Sequence, residues 1–381
     1  MGIVEDLMEE SSGVFVNEQV LNPSFIPDEV VGREEQQRLI MPAIRPLSSG
    51  NRAGHLILQG FNGSGKTVTI QYVLRRAKAY IERSGKHHTF RLVSLTGTKD
   101  MNPNKAMREL VEQVISMGLT KKDLSITTLM DSFLKTLAED EKPAVLLFDE
   151  IDLFLKKPLN ELINLIAREQ PNISIVGTTN DPLVMSKIND RRIESAFRPL
   201  VVVFPPYNSD ELRDILEERA KMALYPKAIA NEVIPLCAAF AAGKNGDARY
   251  AIQLLGAAAS KCINDGRKKI EETDVRAAVE MIENEDVQSI KLQLTRRHKA
   301  ILEALLNERD MRRADLKTRY ETILDDAFSQ STFLNDLKIL ESLRILHLWS
   351  RGKGRGKGAD WMVALDKEAY PREKIEKLIE T

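Results

Sequence analysis

The chain has 381 residues, with 55 Lys and Arg against 56 Asp and Glu and a formal net charge of −1 at pH 7. That length exceeds what one compact core organises, so two or three domains are expected. The cancelled charge excludes recognition of a polyanion through the global field; any such partner must meet a local basic patch. Cys237 and Cys262 are the two cysteines, both in apolar helical patterns and without metal-ligand spacing, which predicts buried, reduced thiols in a cytoplasmic protein. No apolar run reaches membrane-spanning length, and the acidic Met1 to Gly13 stretch is unlike a signal peptide. Gly2 is followed by Asp6 where an acylation signal wants Ser or Thr, so no membrane partner is expected.

From Leu56 to Phe204, short β-rich runs alternate with helical patterns: Leu56 to Gln59, Phe90 to Leu95, Val145 to Phe148, Ile173 to Thr178 and Val201 to Phe204. This alternation predicts an α/β domain with a parallel sheet covered by helices. Asn104 to Met117 has helical spacing, with Ala106, Leu110, Val111, Val114 and Ile115 on one side. Pro205-Pro206-Tyr207 ends this regime. Beyond it Asp210 to Met222, Ala228 to Ala241, Asp247 to Asn264 and Thr273 to Asn284 all carry period-3.6 apolar positions, with caps at Asn208-Ser209-Asp210-Glu211 and Glu272-Thr273-Asp274. A small helical bundle is expected there. A third unit opens near Val287, with helices from Leu294 through Leu306, from Arg313 to Leu324 and from Ser329 to Leu343. The strands Ile345 to Trp349 and Trp361 to Leu365 then flank a Gly- and cation-rich tip. Three helices and a hairpin make the winged form of the helix-turn-helix.

Two motifs carry the chemistry. Gly60-Phe61-Asn62-Gly63-Ser64-Gly65-Lys66-Thr67 follows the apolar run Leu56-Ile57-Leu58. A glycine turn between strand and helix aims backbone N–H groups at phosphate oxygens, and the helix N-terminus adds positive potential. Asn62, Gly63, Ser64, Gly65, Lys66, Thr67 and Val68 would therefore hold ATP or ADP, with Lys66 on the β/γ-phosphates and Thr67 on Mg²⁺. Asp149-Glu150 closes the second apolar run. Asp149 would be the other partner of the metal, and Glu150 would polarise the attacking water; Asp152 is read as structural or subunit-facing. Asn180 ends a run expected between the two phosphate-site strands, where its amide would bond the attacking water or γ-phosphate, or else merely begins the turn Asn180-Asp181-Pro182. Arg249, in the first turn of a helix, opposes the dipole, so either a γ-phosphate compensates it or solvent does. Arg192, before the last strand, is placed to reach a neighbouring subunit; an arginine supplied in trans is worth roughly 10³ to 10⁵ in rate, so an isolated monomer should turn over feebly.

At the C-terminal tip Arg351, Lys353, Arg355 and Lys357 alternate with glycines. Glycines let a loop enter a groove, and each cation that neutralises a phosphate releases counterions. Ser331 and Thr332 open the third helix, suited to phosphate or base-edge contacts, while Arg296, Arg297 and Lys338 are candidates for holding the backbone. Double-stranded DNA is the implied partner. Two other readings stand beside it: a nucleotide-gated switch whose winged helix packs on the bundle, and a clamp or helicase loader that uses the winged helix for protein docking.

With these motifs in place, the chain resembles the archaeal replication initiators, relatives of origin-recognition-complex subunit one and cell-division-control protein six, within the AAA+ ATPases. The resemblance runs from Val14-Phe15-Val16-Asn17-Glu18, Phe25-Ile26-Pro27 and Gly32-Arg33-Glu34 through both phosphate motifs, Asn180, Phe204 to Tyr207 and Gly246 to Arg249, into the winged helix. It implies an AAA+ P-loop NTPase domain over 1–207, a helical lid over 208–287 and a winged-helix DNA-binding domain over 288–381. It further implies Asn180 as sensor one, Arg249 as sensor two, Arg192 as arginine finger, and Val31, Arg33 and Tyr207 around adenine. Arg191 stands where the family usually has proline, so either arginine can be the finger. The implied partners are origin duplex, other initiator subunits and a replicative helicase of the minichromosome-maintenance (MCM) type, at the nucleoid. A DNA-contacting insertion of the ATPase domain would correspond to Met117 to Leu129, with Lys121 and Lys122.

Overall fold

The computed structural model describes residues 13–85, 89–98, 101–114, 124–140, 142–154, 163, 166, 172–187, 197–352, 359–367 and 369–380. The chain separates into two compact units, Met1–Val275 and Arg276–Thr381. Among the described residues no helix is long and apolar enough to cross a membrane.

In chain order the first unit contains α1 (Glu34–Ile44), β1 (Leu56–Gly60), α2 (Lys66–Arg83), β2 (Arg91–Thr96), α3 (Pro103–Val114), α4 (Ile126–Glu139), β3 (Ala144–Asp149), β4 (Ile173–Thr179), β5 (Leu200–Phe204), α5 (Ser209–Ala223), α6 (Val233–Gly243) and α7 (Ala248–Asn264). The helix α8 (Glu272–Gln293) follows. The five strands pair in parallel in the order β2-β3-β4-β1-β5. Because successive strand residues point to opposite faces, β3 divides its apolar run. Leu146 and Phe148 pack into a cluster with Met107, Val111, Phe133 and Leu137 of α3 and α4. Val145 and Leu147 pack into a second cluster with Ile40 of α1 and Ile70, Val73 and Leu74 of α2. Burial on both faces is why this strand reads as continuously apolar rather than alternating.

Helix boundaries follow local chemistry. α5 begins with a capping box, in which Asn208 Oδ1 accepts the Glu211 N–H at 2.9 Å and Glu211 returns the contact to the Asn208 N–H at 2.8 Å. α6 starts at Val233, five residues after the expected Ala228. The backbone of Ala228 and Ala230 is instead bonded to Ile270, giving a short bridge that precludes helix there. α1 and α4 were not expected. The α4 segment takes Ile126 to Leu129 out of any surface insertion, since Leu129, Met130, Phe133 and Leu137 are core; Lys121 and Lys122 lie outside the described residues.

The second unit adds α9 (Arg296–Leu305), β6 (Met311–Arg312), α10 (Arg313–Leu324), α11 (Gln330–Ser342), β7 (Leu346–Gly352), β8 (Ala359–Leu365) and α12 (Arg372–Ile379). β7 and β8 form the expected antiparallel wing, and β6 extends it to three strands in the order β6-β8-β7. The short β6 and the terminal α12 were not foreseen; Ile375 and Leu378 of α12 complete the core around Phe333, Leu337 and Tyr320. The buried Asp336 of α11 accepts from Arg297 Nε at 2.8 Å and from the Tyr320 hydroxyl at 3.2 Å, tying the three helices together.

His55, just before β1, fastens the sheet from below. Its Nδ1 accepts the Ile175 N–H at 3.0 Å and its carbonyl accepts from Leu200, which requires a neutral ring protonated on Nε2. Burial, reinforced by Arg52, pulls its pKa down to about 4. The unfolded chain therefore takes up the proton first, and stability is lost as pH falls below about 6.5. Between pH 7 and pH 5 the loss from this group should be about 2 kcal/mol. Urea denaturation of His55→Gln at both pH values should show a drop smaller by that amount than the native chain shows.

Candidate nucleotide site

The site gathers at the carboxyl ends of β1, β3 and β4, where ligands of open α/β sheets bind. It is a cavity of about 840 Å³. Its lining includes Asn62, Gly63, Gly65, Lys66, Thr67 and Val68 from the loop and first turn of α2, Asp149 and Glu150 from the end of β3, and Thr178, Thr179 and Asn180 from the end of β4. Tyr207, Arg249, Ile215 and Met222 close it from the helical side, and residues 23–31 close its far end.

Gly63 and Gly65 sit at φ +70° and +84°, left-handed conformations that side chains disfavour. Space forbids side chains as well: a Cβ at Gly63 would collide with the Asp247 carboxylate and one at Gly65 with the Tyr207 hydroxyl. Lys66 is 8% exposed, and its ammonium donates to Gly60 O at 2.8 Å and Phe61 O at 2.7 Å. Burial, with Arg249 nearby, lowers its pKa to about 8. The cavity floor is thus a desolvated cation lacking a full countercharge, which suits a polyanionic ligand.

Thr67 Oγ1 donates to Asp149 Oδ1 at 2.7 Å. A hydroxyl and a carboxylate side by side form a hard oxygen pair of the kind Mg²⁺ takes from protein when phosphates and water complete its shell. These residues fit the metal. Thr178, which sequence reasoning missed, donates its hydroxyl to the same carboxylate oxygen and accepts the Glu150 N–H at 3.1 Å. One β4 side chain thereby fixes both acids, and its signal was the polar run Thr178-Thr179-Asn180 at a strand end. Glu150 adopts φ +58°. Burial, followed by the charges of Asp149 and Asp152, raises its pKa, which makes it a stronger base than a solvated carboxylate. Asp152 itself accepts from Thr179 Oγ1 at 2.7 Å. β4 lies between β3 and β1, so Asn180 reaches the loop, with Nδ2 donating to Asn62 Oδ1 at 3.2 Å.

The helical side is fastened to the loop itself. Asp247 caps α7 by accepting from Arg249 N at 2.8 Å and Tyr250 N at 3.1 Å, and Ala248 N donates to Gly63 O at 3.2 Å. That linkage brings Arg249 to the cavity lining. Arg219, also missed, comes from α5. Its guanidinium donates to Val20 O and Phe25 O at 2.9 Å each and lies over the Phe25 ring, suspending the 23–27 wall from this helix. Its signal was an arginine on the stripe otherwise formed by Leu212, Leu216, Ala220 and Ala223.

Two expected ligand residues lie elsewhere. Val31 and Tyr207 line the cavity, but Arg33 does not: it is 1% exposed behind the loop, donating to Ser64 O at 2.9 Å and Pro205 O at 2.7 Å and stacking 3.5 Å from the Tyr207 ring centroid. Gly32 at φ +74° turns the chain so that the side chain runs beneath the loop rather than into the cavity. Ser64 is likewise 1% exposed and outside the lining, its N–H directed to Phe61 O at 3.3 Å. Arg191 and Arg192, and Lys353, Arg355 and Lys357 of the wing tip, lie outside the described residues. In the second unit Arg296, Ser331, Lys338 and Arg351 are exposed and Thr332 half-buried. Ser329 caps α11 and bonds to both Ser331 and Thr332 at 2.8 Å. Arg297 is committed to Asp336.

Comparison with known proteins supplies the family. Residues 29–176 match the family model for an AAA ATPase domain and residues 213–280 that for a Cdc6 AAA+ ATPase-type lid domain. An ORC1-type DNA replication protein of Methanothermobacter thermautotrophicus is 30% identical over 363 residues, covering 94% of this chain and 95% of that one. The ORC1-type DNA replication protein 1 of Sulfurisphaera tokodaii is 30% identical over 83% of this chain and 79% of its own. Among solved structures, the Aeropyrum pernix ORC1 protein in complex with DNA matches with a TM-score of 0.79 at 26% identity, over 96% of this chain and 97% of that one.

Gly63→Ala tests the fastening of loop to helical side. The added methyl should break the Ala248–Gly63 link, and titration with a fluorescent ATP analogue should show affinity reduced at least about tenfold, ~1.4 kcal/mol, with the fold retained by circular dichroism.

Proposed function

The chain belongs to the ORC1-type DNA replication protein family, and from that premise we propose that it is an ATP-dependent initiator that binds origin duplex and helps load a replicative helicase. It carries an AAA ATPase domain, and its family acts in the initiation of DNA replication. One observation carries the nucleotide half of the proposal: three strand ends and one lid helix bring a phosphate-type loop, an acid pair, a polar amide and an arginine to a single cavity.

In this reading Lys66 exchanges its two loop carbonyls for β- and γ-phosphate oxygens, and the backbone of Asn62, Gly63, Gly65, Lys66, Thr67 and Val68 cradles the rest. Thr67 and Asp149 would hold Mg²⁺, which supplies neutralisation of phosphate charge when bound. Glu150 takes a proton from water as the water oxygen bonds to the γ-phosphorus and the bond to the bridging oxygen of ADP breaks. Asn180 orients that water, and Arg249 reports the γ-phosphate to the lid through the Gly63–Ala248 link. The rest of the transition-state charge is assigned to Arg192, or its neighbour Arg191, acting on the nucleotide of an adjacent initiator subunit, so an isolated chain hydrolyses slowly. The base lies toward Val31, Tyr207 and residues 23–27.

The domain limits proposed are 1–207, 208–287 and 288–381. The last domain would bind double-stranded DNA through Arg296, Ser331, Thr332 and Lys338 on the helices and Arg351, Lys353, Arg355 and Lys357 on the wing; the ATPase domain would add contacts of its own. Support comes from the winged-helix topology and from the DNA complex of the Aeropyrum pernix ORC1 protein. An MCM-type helicase would be recruited to this assembly at the nucleoid.

Lys66→Ala should abolish tight ATP binding in a filter assay while leaving most of the duplex affinity; normal ATP retention by that variant would refute the site. Converting the four wing cations to Gln should weaken duplex binding and flatten the slope of log affinity against log salt by up to about 0.9 per lost phosphate contact. An unaltered slope would remove the wing from the interface.

A further inference from the structure

Among the described residues Arg33 is the largest fully buried side chain. A guanidinium keeps its charge inside a protein, so its burial demands fixed partners. All three of its nitrogens have them: Nε donates to Ser64 O at 2.9 Å, Nη1 to Gly32 O at 3.1 Å and Nη2 to Pro205 O at 2.7 Å. Its Cζ stacks 3.5 Å from the Tyr207 ring centroid, and Glu211 Oε1 lies 3.7 Å from Nη1. Ser64 belongs to the phosphate loop. Pro205, Tyr207 and Glu211 belong to the passage from β5 into α5, where the sheet gives way to the helical side.

That passage is packed as tightly on its other sides. The Tyr207 hydroxyl lies where a Cβ at Gly65 would have to go, and its N–H donates to Gly246 O at 3.3 Å. Gly246, at φ +63°, leaves no room for a Cβ beside the Tyr207 backbone, and the next residue, Asp247, caps α7. Glu211, the carboxylate nearest the buried guanidinium, also accepts the Asn208 N–H at 2.8 Å and so closes the capping box that starts α5. Loop, passage and the first turn of α5 therefore meet at one stacked pair, Arg33 and Tyr207.

We propose that Arg33 is a positioning residue that couples occupancy of the phosphate loop to the orientation of the lid, from beneath the loop and without touching the nucleotide. This rests on the reading of the cavity as an ATP site. A planar fork holds the Ser64 and Pro205 carbonyls at a fixed spacing, and letting go of either leaves a buried, charged donor unpaired, which costs more than an ordinary hydrogen bond. When the loop settles on phosphates, the fork carries the movement of Ser64 to Pro205, just before α5. This path is separate from the Gly63–Ala248 contact, which joins the loop to α7 on the cavity side. Lysine would keep the charge and lose the fork. Coupling between two sites is reciprocal, so weakening this link should lower both the response of the lid and the affinity for nucleotide.

Energy transfer reads the lid directly. Lys78 of α2 and Asn264 at the end of α7 are exposed, whereas Cys237 and Cys262 are buried, so fluorophores on Lys78→Cys and Asn264→Cys in the full chain report the orientation of the lid. ATP should change the transfer efficiency of this labelled chain. Adding Arg33→Lys or Arg33→Gln, with the fold checked by circular dichroism, should weaken binding of a fluorescent ATP analogue about tenfold and leave less than about half of the transfer change at saturation. A lowered urea midpoint with native affinity and native transfer change would make Arg33 a stability residue and overturn the proposal. Weakened affinity with a native transfer change at saturation overturns it too, as does ATP binding with no transfer change in the labelled chain itself. Should neither Arg33 variant fold, Glu211→Gln keeps the fork and removes the charge at the first turn of α5; its transfer change should fall, and a native change overturns the proposal. A chain that binds no ATP removes the reading of the cavity, whereas tight ATP binding with a lid response indifferent to Arg33 removes this inference alone.

Discussion

The hydrogen bond from Ala248 to Gly63 and the close approach of Asp247 to the same glycine are the constraint on which the nucleotide site depends. A phosphate loop alone is a surface feature at the carboxyl ends of the strands of a sheet. It becomes one wall of a cavity because α7 begins against it, with Asp247 spent on capping that helix and Arg249 carried to the lining. Gly63 makes this possible twice over, through its left-handed backbone and through the space a methyl group would take. The loop and the first turn of that helix are thus joined directly, with no residue between them.

The charges in the cavity are arranged around that contact. Lys66 is desolvated, bonded only to neutral carbonyls and lowered in pKa by its burial, while Glu150 is raised by its own burial and by two neighbouring carboxylates. Each shift disfavours the ionised form of its group. Arg33 supports this from beneath. It binds Ser64 and Pro205 carbonyls and stacks on Tyr207, so the loop rests on an arginine that never meets the ligand cavity.

The second unit uses the same device with another purpose. Asp336, fully buried on α11, receives Arg297 from α9 and the Tyr320 hydroxyl from α10, which sets the orientation of the helix whose first turn carries Ser331 and Thr332. Its wing is built oppositely, with large aromatic rings outside.

The parallel sheet, its strand positions, the loop, the acid pair and the winged topology were legible in the sequence because each leaves a local trace: apolar runs of strand length, glycines before Lys-Thr, carboxylates after four apolar residues, a cation-rich tip between β-type segments. The position of Asn180 was legible because its run had to lie between β1 and β3, and it does. Long-range pairing was not legible. Arg33 resembles a ligand residue in sequence and becomes a prop only because Pro205 and Ser64 converge on it; Thr178 and Arg219 act through partners 28 to 199 positions distant. Ala228 has helix-forming surroundings, yet Ile270 claims its backbone. The sequence by itself determined which elements form and which residue types can meet phosphate, because propensity, periodicity and turn chemistry act over a few residues. Only the tertiary structure decided which of those side chains face the cavity and which lie beneath it, because burial and hydrogen-bond partnership are settled by segments far apart in the chain.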